Sequence, residues 1–148
     1  MPNHDLTAEQ THDLRALAGI IIPASSTWDV PGADDEKIFG DILRSLERDR
    51  DDISSALAHL ATLAGGAFTD LEPQRRLEVA GAFREAGGAP LAALVRVVLL
   101  CYYRDDRVMR SLGQEPRPPF PSGHIVEQGD WSLLDPVRAR PSMYRRVE

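Results

Sequence analysis

Residues 90–103, Pro-Leu-Ala-Ala-Leu-Val-Arg-Val-Val-Leu-Leu-Cys-Tyr-Tyr, form the most apolar stretch of the chain, and Arg96 is the only charge in it. Read as a helix, it sets Leu91, Leu94, Val95, Val98, Leu99 and Tyr102 on one stripe at spacings of three and four. Ala93, Val97, Leu100 and Cys101 widen that stripe nearly all the way round. A helix apolar on every side is expected to be surrounded by others. At well under the roughly 20 apolar residues needed to cross a bilayer, the stretch predicts the centre of a helical core.

The segments on either side are helical in the same sense. Thr7 and Gln10 have capping-box spacing with Leu6 as a staple. The helix they open runs through Leu14, Leu17, Ala18 and Ile21 until Pro23 stops it. Residues 23–33 read as a loop, with Trp28 and Val30 expected to be pinned against the body. Asp34, Asp35 and Glu36 suit a helix N-terminus, and Ile38, Ile42, Leu43 and Leu46 give the next buried stripe. Ile53, Ala56, Leu57, Leu60 and Ala64 give another. With no proline or glycine between these two stripes, one bent helix and two separate helices both remain open. Gly65-Gly66 ends the segment. Thr69 and Glu72 repeat the capping-box spacing before Leu77, Val79, Ala80 and Phe83, and Gly87-Gly88 closes that helix. The fold class predicted is all-α, a bundle of five or six helices around a central apolar helix.

After Tyr103 the character changes. Arg104 to Leu112 reads as one short charged helix closed by Gly113, which gives a helical domain over residues 1–113. Residues 114–148 hold six prolines and read as an extended Pro-rich tail. Phe120, Ile125, Val126, Trp131, Leu133, Leu134, Met143 and Tyr144 make that tail too apolar for a solvated linker. Extended backbone with spaced large side chains suits a groove, on the body or on a partner.

Size and charge narrow the classes of function. A chain of 148 residues is long enough for one domain with a real core. The net charge of −6 argues against a nucleic-acid binder, which needs clustered Lys and Arg. The acid is concentrated in residues 1–103, with 16 acidic and 9 basic side chains against 7 and 8 in the remainder. The single cysteine, Cys101, excludes an internal disulfide, and its place in the apolar helix predicts a buried, inert thiol.

Catalytic and cofactor motifs are not found. Both Gly-Gly pairs end helices and follow no strand, so they are not phosphate loops. His4, His12, His59 and His124 lack metal-site spacing and read as surface histidines. His124, in Pro-Ser-Gly-His, sits in a loop that a partner could order. No Gly-x-Ser-x-Gly elbow occurs. The pairs Asp34-Asp35, Asp51-Asp52 and Asp105-Asp106 fall at predicted helix ends, where capping explains them without acid–base chemistry. Tyr102-Tyr103 could stack on a ligand, but tyrosines closing a buried helix more often pack with the hydroxyl at the wet edge.

The run 102–113, Tyr-Tyr-Arg-Asp-Asp-Arg-Val-Met-Arg-Ser-Leu-Gly, followed by a proline-rich segment up to Gly123, resembles the C-terminal signature of the gluconate 2-dehydrogenase subunit 3 family. Leu14 to Pro23 and the loop Asp29-Val30-Pro31-Gly32-Ala33 resemble that family's opening helix and the loop after it. The resemblance brackets roughly residues 12–123. It implies a non-catalytic small subunit bound to a large FAD-containing dehydrogenase of the glucose-methanol-choline class. That large subunit oxidises a sugar or polyol, and a cytochrome subunit often takes the electrons. The small subunit's implied role is to assist folding, stability and often export of the large one. Family members commonly begin with a twin-arginine signal, which the N-terminal sequence here does not show. The location expected from the sequence as written is therefore cytoplasmic, or periplasmic through co-export or after removal of a signal.

Large aromatics supply much interface energy at low entropic cost, so Trp28, Tyr103, Phe120, Trp131 and Tyr144 are the expected partner contacts. The rival expectation from another class is a stand-alone helical adaptor with no oxidoreductase partner.

Overall fold

Thr7 caps the first helix, α1 (Ala8–Ile21), through the full reciprocal box: its hydroxyl accepts from the Gln10 amide and the Gln10 side chain accepts from the Thr7 amide. Two of the orphan donors at the helix start are satisfied this way. A computed structural model describes residues 6–125 and 127–141 of the chain. It divides into two units, Met1–Pro116 and Arg117–Glu148.

In the first unit α1 is followed by α2 (Glu36–Arg44), α3 (Arg50–Ala64), α4 (Pro73–Ala86), α5 (Ala89–Tyr103) and α6 (Asp106–Ser111). The protein is all-α, with about six main helices. Among the described residues there is no strand, only an isolated antiparallel bridge between Ser25 and Val30. Residues 34–64 hold two helices. α2 ends at Ser45, and a 3-10 turn over Glu47–Asp49 re-aims the chain before α3 without glycine or proline. Leu46, buried at that junction, anchors the change of direction in the core.

α3 is the hub of the bundle. It packs against α1, α4 and α5, and Ile53, Ala56, Leu57 and Leu60 are all buried. Its end at Gly65 uses a left-handed residue with φ +76°, a conformation open to glycine at little cost. The chain bends by 117° between α4 and α5, where Gly87 and Gly88 take φ of +63° and +97°. No single described helix is long and apolar enough to cross a membrane.

The apolar helix α5 meets α2, α3 and α6 through Ala93, Leu94, Val97, Val98, Cys101 and Tyr102, all buried. The expectation that it is enclosed on every side is corrected here. Leu99, Leu100 and Tyr103 are 38%, 55% and 53% exposed, and Val95 is only half-buried. Its packed neighbours α2, α3 and α6 cover one side of the helix, and Leu99, Leu100 and Tyr103 lie on the side they leave open. Arg96 lies at the edge of the open side and reaches Asp49 at 2.6 Å.

Two further local expectations are revised. Thr69 does not cap α4. It lies in a 3-10 turn (Phe68–Asp70) whose amides at Phe68 and Thr69, and the Thr69 hydroxyl, all donate to the buried carboxylate of Asp13 at 3.0–3.1 Å. α4 starts at Pro73 instead, after Glu72, with no side-chain cap. Leu77 is exposed, while Val79 and Phe83 on the same helix are buried.

The second unit contains a turn in which Arg117 donates to the Gly123 carbonyl at 2.6 Å and a ring nitrogen of His124 lies 3.0 Å from the Arg117 carbonyl. A 3-10 turn over Trp131–Leu134 and the short helix α7 (Asp135–Arg138) follow. Asp130 caps the turn, accepting from both the amide and the hydroxyl of Ser132.

Candidate partner-binding surfaces

Asp35 caps α2, accepting from the amides of Lys37 and Ile38, and Asp105 caps α6, accepting from the amide of Arg107. Arg107 then joins the two caps. Its guanidinium donates to Asp35 Oδ1 at 2.6 Å and to Asp105 Oδ1 at 2.9 Å. Beside this clasp, Arg104 donates to Asp41 and to the Ser45 hydroxyl, each at 2.6 Å, tying the end of α5 to α2. Asp35 and Asp105 therefore cap helices, as their helix-end positions predict, and Asp41, inside α2, holds Arg104.

The electrostatics follow from that geometry. Burial pushes the Asp105 carboxyl up, but the Arg107 guanidinium and amide, with Lys37 at 3.5 Å, outweigh it and hold it at about 2. Arg107 also lowers Asp35, and Arg104 lowers Asp41. The guanidinium of Arg107, placed between two carboxylates, is raised and stays charged. Cys101 is buried and burial pushes its thiol up, with Ser45 and Arg104 pulling the other way. A thiol held in the protonated form is a poor nucleophile. Among the described residues no three His, Cys, Asp or Glu side chains come together as a metal site. His12, His59 and His124 are exposed, and His59 meets Phe83 edge-on at 5.7 Å between ring centres.

Two surfaces of the first unit stand out. One is the open side of α5, where Ala92, Val95, Leu99, Leu100 and Tyr103 line a shallow, mostly apolar hollow of about 720 Å³ between Arg96 and Arg104. Tyr103 lies edge-on to buried Tyr102 at 5.2 Å, which fixes the exposed ring against the core. A contiguous apolar strip of this kind, rimmed by charge, is the usual form of a protein contact.

The other surface is an open cleft of about 770 Å³. Trp28, Asp29, Val30 and Pro31 line it from the loop, and Arg107, Arg110 and Ser111 line it from α6. Trp28 is not pinned against the body. The Ser25–Val30 bridge, with amide–carbonyl bonds of 3.0 and 3.1 Å, and Asp29 at φ +50° hold the indole outward at 71% exposure. Val30, half-buried, is the inward residue of the pair. The path of the loop is tightly fixed at Gly32, where any side chain would collide with Asp34 and the Ala24 amide.

In the second unit Phe120 and Trp131 are exposed, at 87% and 62%, and the Trp131 indole donates to Gln128 at 3.1 Å. Ile125, Leu133 and Val137 are exposed as well. Tyr144 lies outside the described residues. Of the aromatic contacts expected from sequence, Trp28 and Tyr103 therefore occupy separate surfaces of the first unit, and Phe120 and Trp131 belong to the second. Leu99, Leu100, Arg107 and Arg110 are absent from the sequence-based set. Periodicity assigns both leucines to the core, and only the fold brings the two arginines beside the Trp28 loop.

No protein-family model, curated protein or solved structure matches the chain.

Proposed function

We propose that this chain is a non-catalytic helical subunit that clasps and stabilises a large FAD-containing dehydrogenase of the glucose-methanol-choline class, acting on a sugar or polyol. One observation carries the reading. Two of the stretches that resemble the gluconate 2-dehydrogenase subunit 3 family, Asp29–Ala33 and Tyr102–Gly113, are some seventy residues apart, yet residues of both line a single cleft. The second stretch also supplies Tyr103 to the open side of α5. Residues that resemble a subunit signature thus supply exposed surface as well as the clamp around Arg107. FAD belongs to the partner in this reading, and a cytochrome subunit is the natural electron acceptor beyond it.

The support from packing is the apolar area left open on α5. Burying apolar surface contributes about 25 cal/mol per Å², so side chains such as Leu100 gain most from a second protein. Trp28, Tyr103, Phe120 and Trp131 are the aromatic anchors assigned to it, each an exposed large ring in a family of residues that dominate interface energetics.

Co-expression with a large flavoprotein subunit of the glucose-methanol-choline class, taken from the same genome, tests the proposal. A tag on this chain should recover a yellow, sugar-oxidising complex, and the chain alone should be colourless and inactive with sugars and an artificial acceptor. Failure to co-purify, with unchanged solubility of the flavoprotein, would leave the stand-alone adaptor as the reading.

A further inference from the structure

The cleft between the Trp28 loop and α6 differs in chemistry from the open side of α5. Its charges are compensated within the protein: Arg107 is bonded to Asp35 and Asp105, Arg110 pairs with Asp106 at 3.7 Å, and Asp29 adds a carboxylate from the loop. An ionic occupant therefore finds no uncompensated charge to pair with. What the cleft offers instead is a set of hydrogen-bonding groups, on Ser25, Ser26, Asp29, Arg110 and Ser111, beside one large apolar surface, the indole of Trp28. The Ser111 hydroxyl already donates to the Val108 carbonyl at 2.7 Å, which leaves its oxygen as an acceptor.

The indole is held ready. The Ser25–Val30 bridge, the positive φ of Asp29 and the close approach of Asp34 and the Ala24 amide to Gly32 fix the path of the loop, so the ring is presented at 71% exposure with little left to order on binding. The volume of about 770 Å³ lies within the roughly 300–1,000 Å³ typical of ligand sites. A wholly apolar occupant would take water from the guanidinium and carboxylate without replacing their hydrogen bonds. An uncharged molecule with one apolar face and a rim of hydroxyl groups meets both demands, because a hydroxyl donates to a carboxylate as readily as it accepts from a guanidinium. The cleft is open, and a polyhydroxylated molecule keeps its outer side in water at no cost.

We propose that this cleft is a binding site for a neutral saccharide, with one pyranose ring stacked on Trp28 and its hydroxyls accepting from Arg110 and donating to Asp29. The C–H groups on the face of a pyranose ring are apolar and weakly positive, and they complement the negative face of the indole. The site does not depend on the reading of the chain as a subunit, since every group in it belongs to this chain. Trp28 is also one of the anchors assigned to the flavoprotein, so saccharide and partner would meet at the same ring, and the test is made on the chain alone.

Trp28 is itself the reporter. The chain has two tryptophans, so in the full-length Trp131→Phe variant the emission comes from Trp28 alone. It is titrated with three probes: cellotriose, which has ring faces and hydroxyls; sorbitol, which has hydroxyls and no ring; and triglutamate, which has charge. Cellotriose should shift the emission to the blue along a saturating curve, and sorbitol and triglutamate should leave it unchanged. No saturable response to cellotriose, or an equal response to sorbitol or triglutamate, overturns the proposal. Calorimetry on the otherwise unchanged chain supplies a readout that does not need the ring. There Trp28→Ala and Asp29→Ala should each weaken cellotriose binding by about tenfold or more, with helical circular dichroism intact. Wild-type affinity in Trp28→Ala would place the sugar elsewhere and overturn the site. Neither result bears on recovery of the flavoprotein, so the two readings stand or fall separately.

Discussion

α3 and α5 have the same length and differ in how they use their apolar residues. α3 mixes Ile53, Ala56, Leu57 and Leu60 with acids, serines and a histidine, and its apolar side chains are consumed by packing against α1, α4 and α5. α5 carries far more apolar surface, yet α2, α3 and α6 cover only part of it, and Leu99, Leu100 and Tyr103 are exposed. Centrality in the bundle thus follows from where a helix's neighbours lie, and not from how apolar it is. Apolar residues beyond what those neighbours can cover stay at the surface, where they are free to take part in a further contact.

The largest test of that contrast is a matched pair of leucines. Leu57→Ala on α3 should cost about 3 kcal/mol, because it opens a cavity among buried neighbours, and lower Tm by roughly 10 °C. Leu100→Ala on α5 should change stability by no more than about 0.5 kcal/mol. Urea unfolding of both variants checks this, and equal losses would mean that the open side of α5 is part of the core.

Next in size is the polar tie beneath α1. Asp13→Ala strips the acceptor from two amides and a hydroxyl of the Phe68–Asp70 turn, one of those amides buried, and should cost about 2 to 3 kcal/mol by the same measurement. The turn packs on α1 and α3, so the loss is expected as lower global stability with little change in helical circular dichroism.

A third effect belongs to the clasp at the end of α5. Asp105 is held at about 2, below its ordinary 3.8, so its ionised form is bound more tightly in the folded state. The stability this provides is fully present above about pH 4 and is lost as the pH falls through about 2. Melting curves of the wild type across that window should show a decline that is weaker in Asp105→Asn, with Asp35, also lowered by Arg107, contributing part of what remains. Smallest is Thr7→Ala, which removes half of the capping box of α1 and should cost about 1 kcal/mol in the same unfolding assay.

Much of the helical order was legible because it rests on local rules. Thr7 and Gln10 announce α1, Pro23 ends it, and the glycines after α3 and α4 mark real turns. Cys101 is buried, as the apolar helix around it predicts. What local pattern could not supply was partnership over distance. Asp13 bonds to residues 55 and 56 positions away, and that demand takes the Thr69 hydroxyl that the spacing to Glu72 assigns to a cap. Trp28 turns outward because of a two-residue bridge and a positive φ at Asp29, neither of which has a strong signal in a loop rich in small polar residues. Periodicity finds which side chains of α5 are apolar, but the number of helices available to cover them is a property of the whole bundle.

The most direct measurement combines the two sides of α5 in one variant. Leu100→Glu places a charge on the open side, and the account predicts a melting temperature close to that of the wild type together with loss of the flavoprotein from the co-purified complex. Undiminished recovery of the flavoprotein, or a collapse in stability like that of Leu57→Ala, would contradict it.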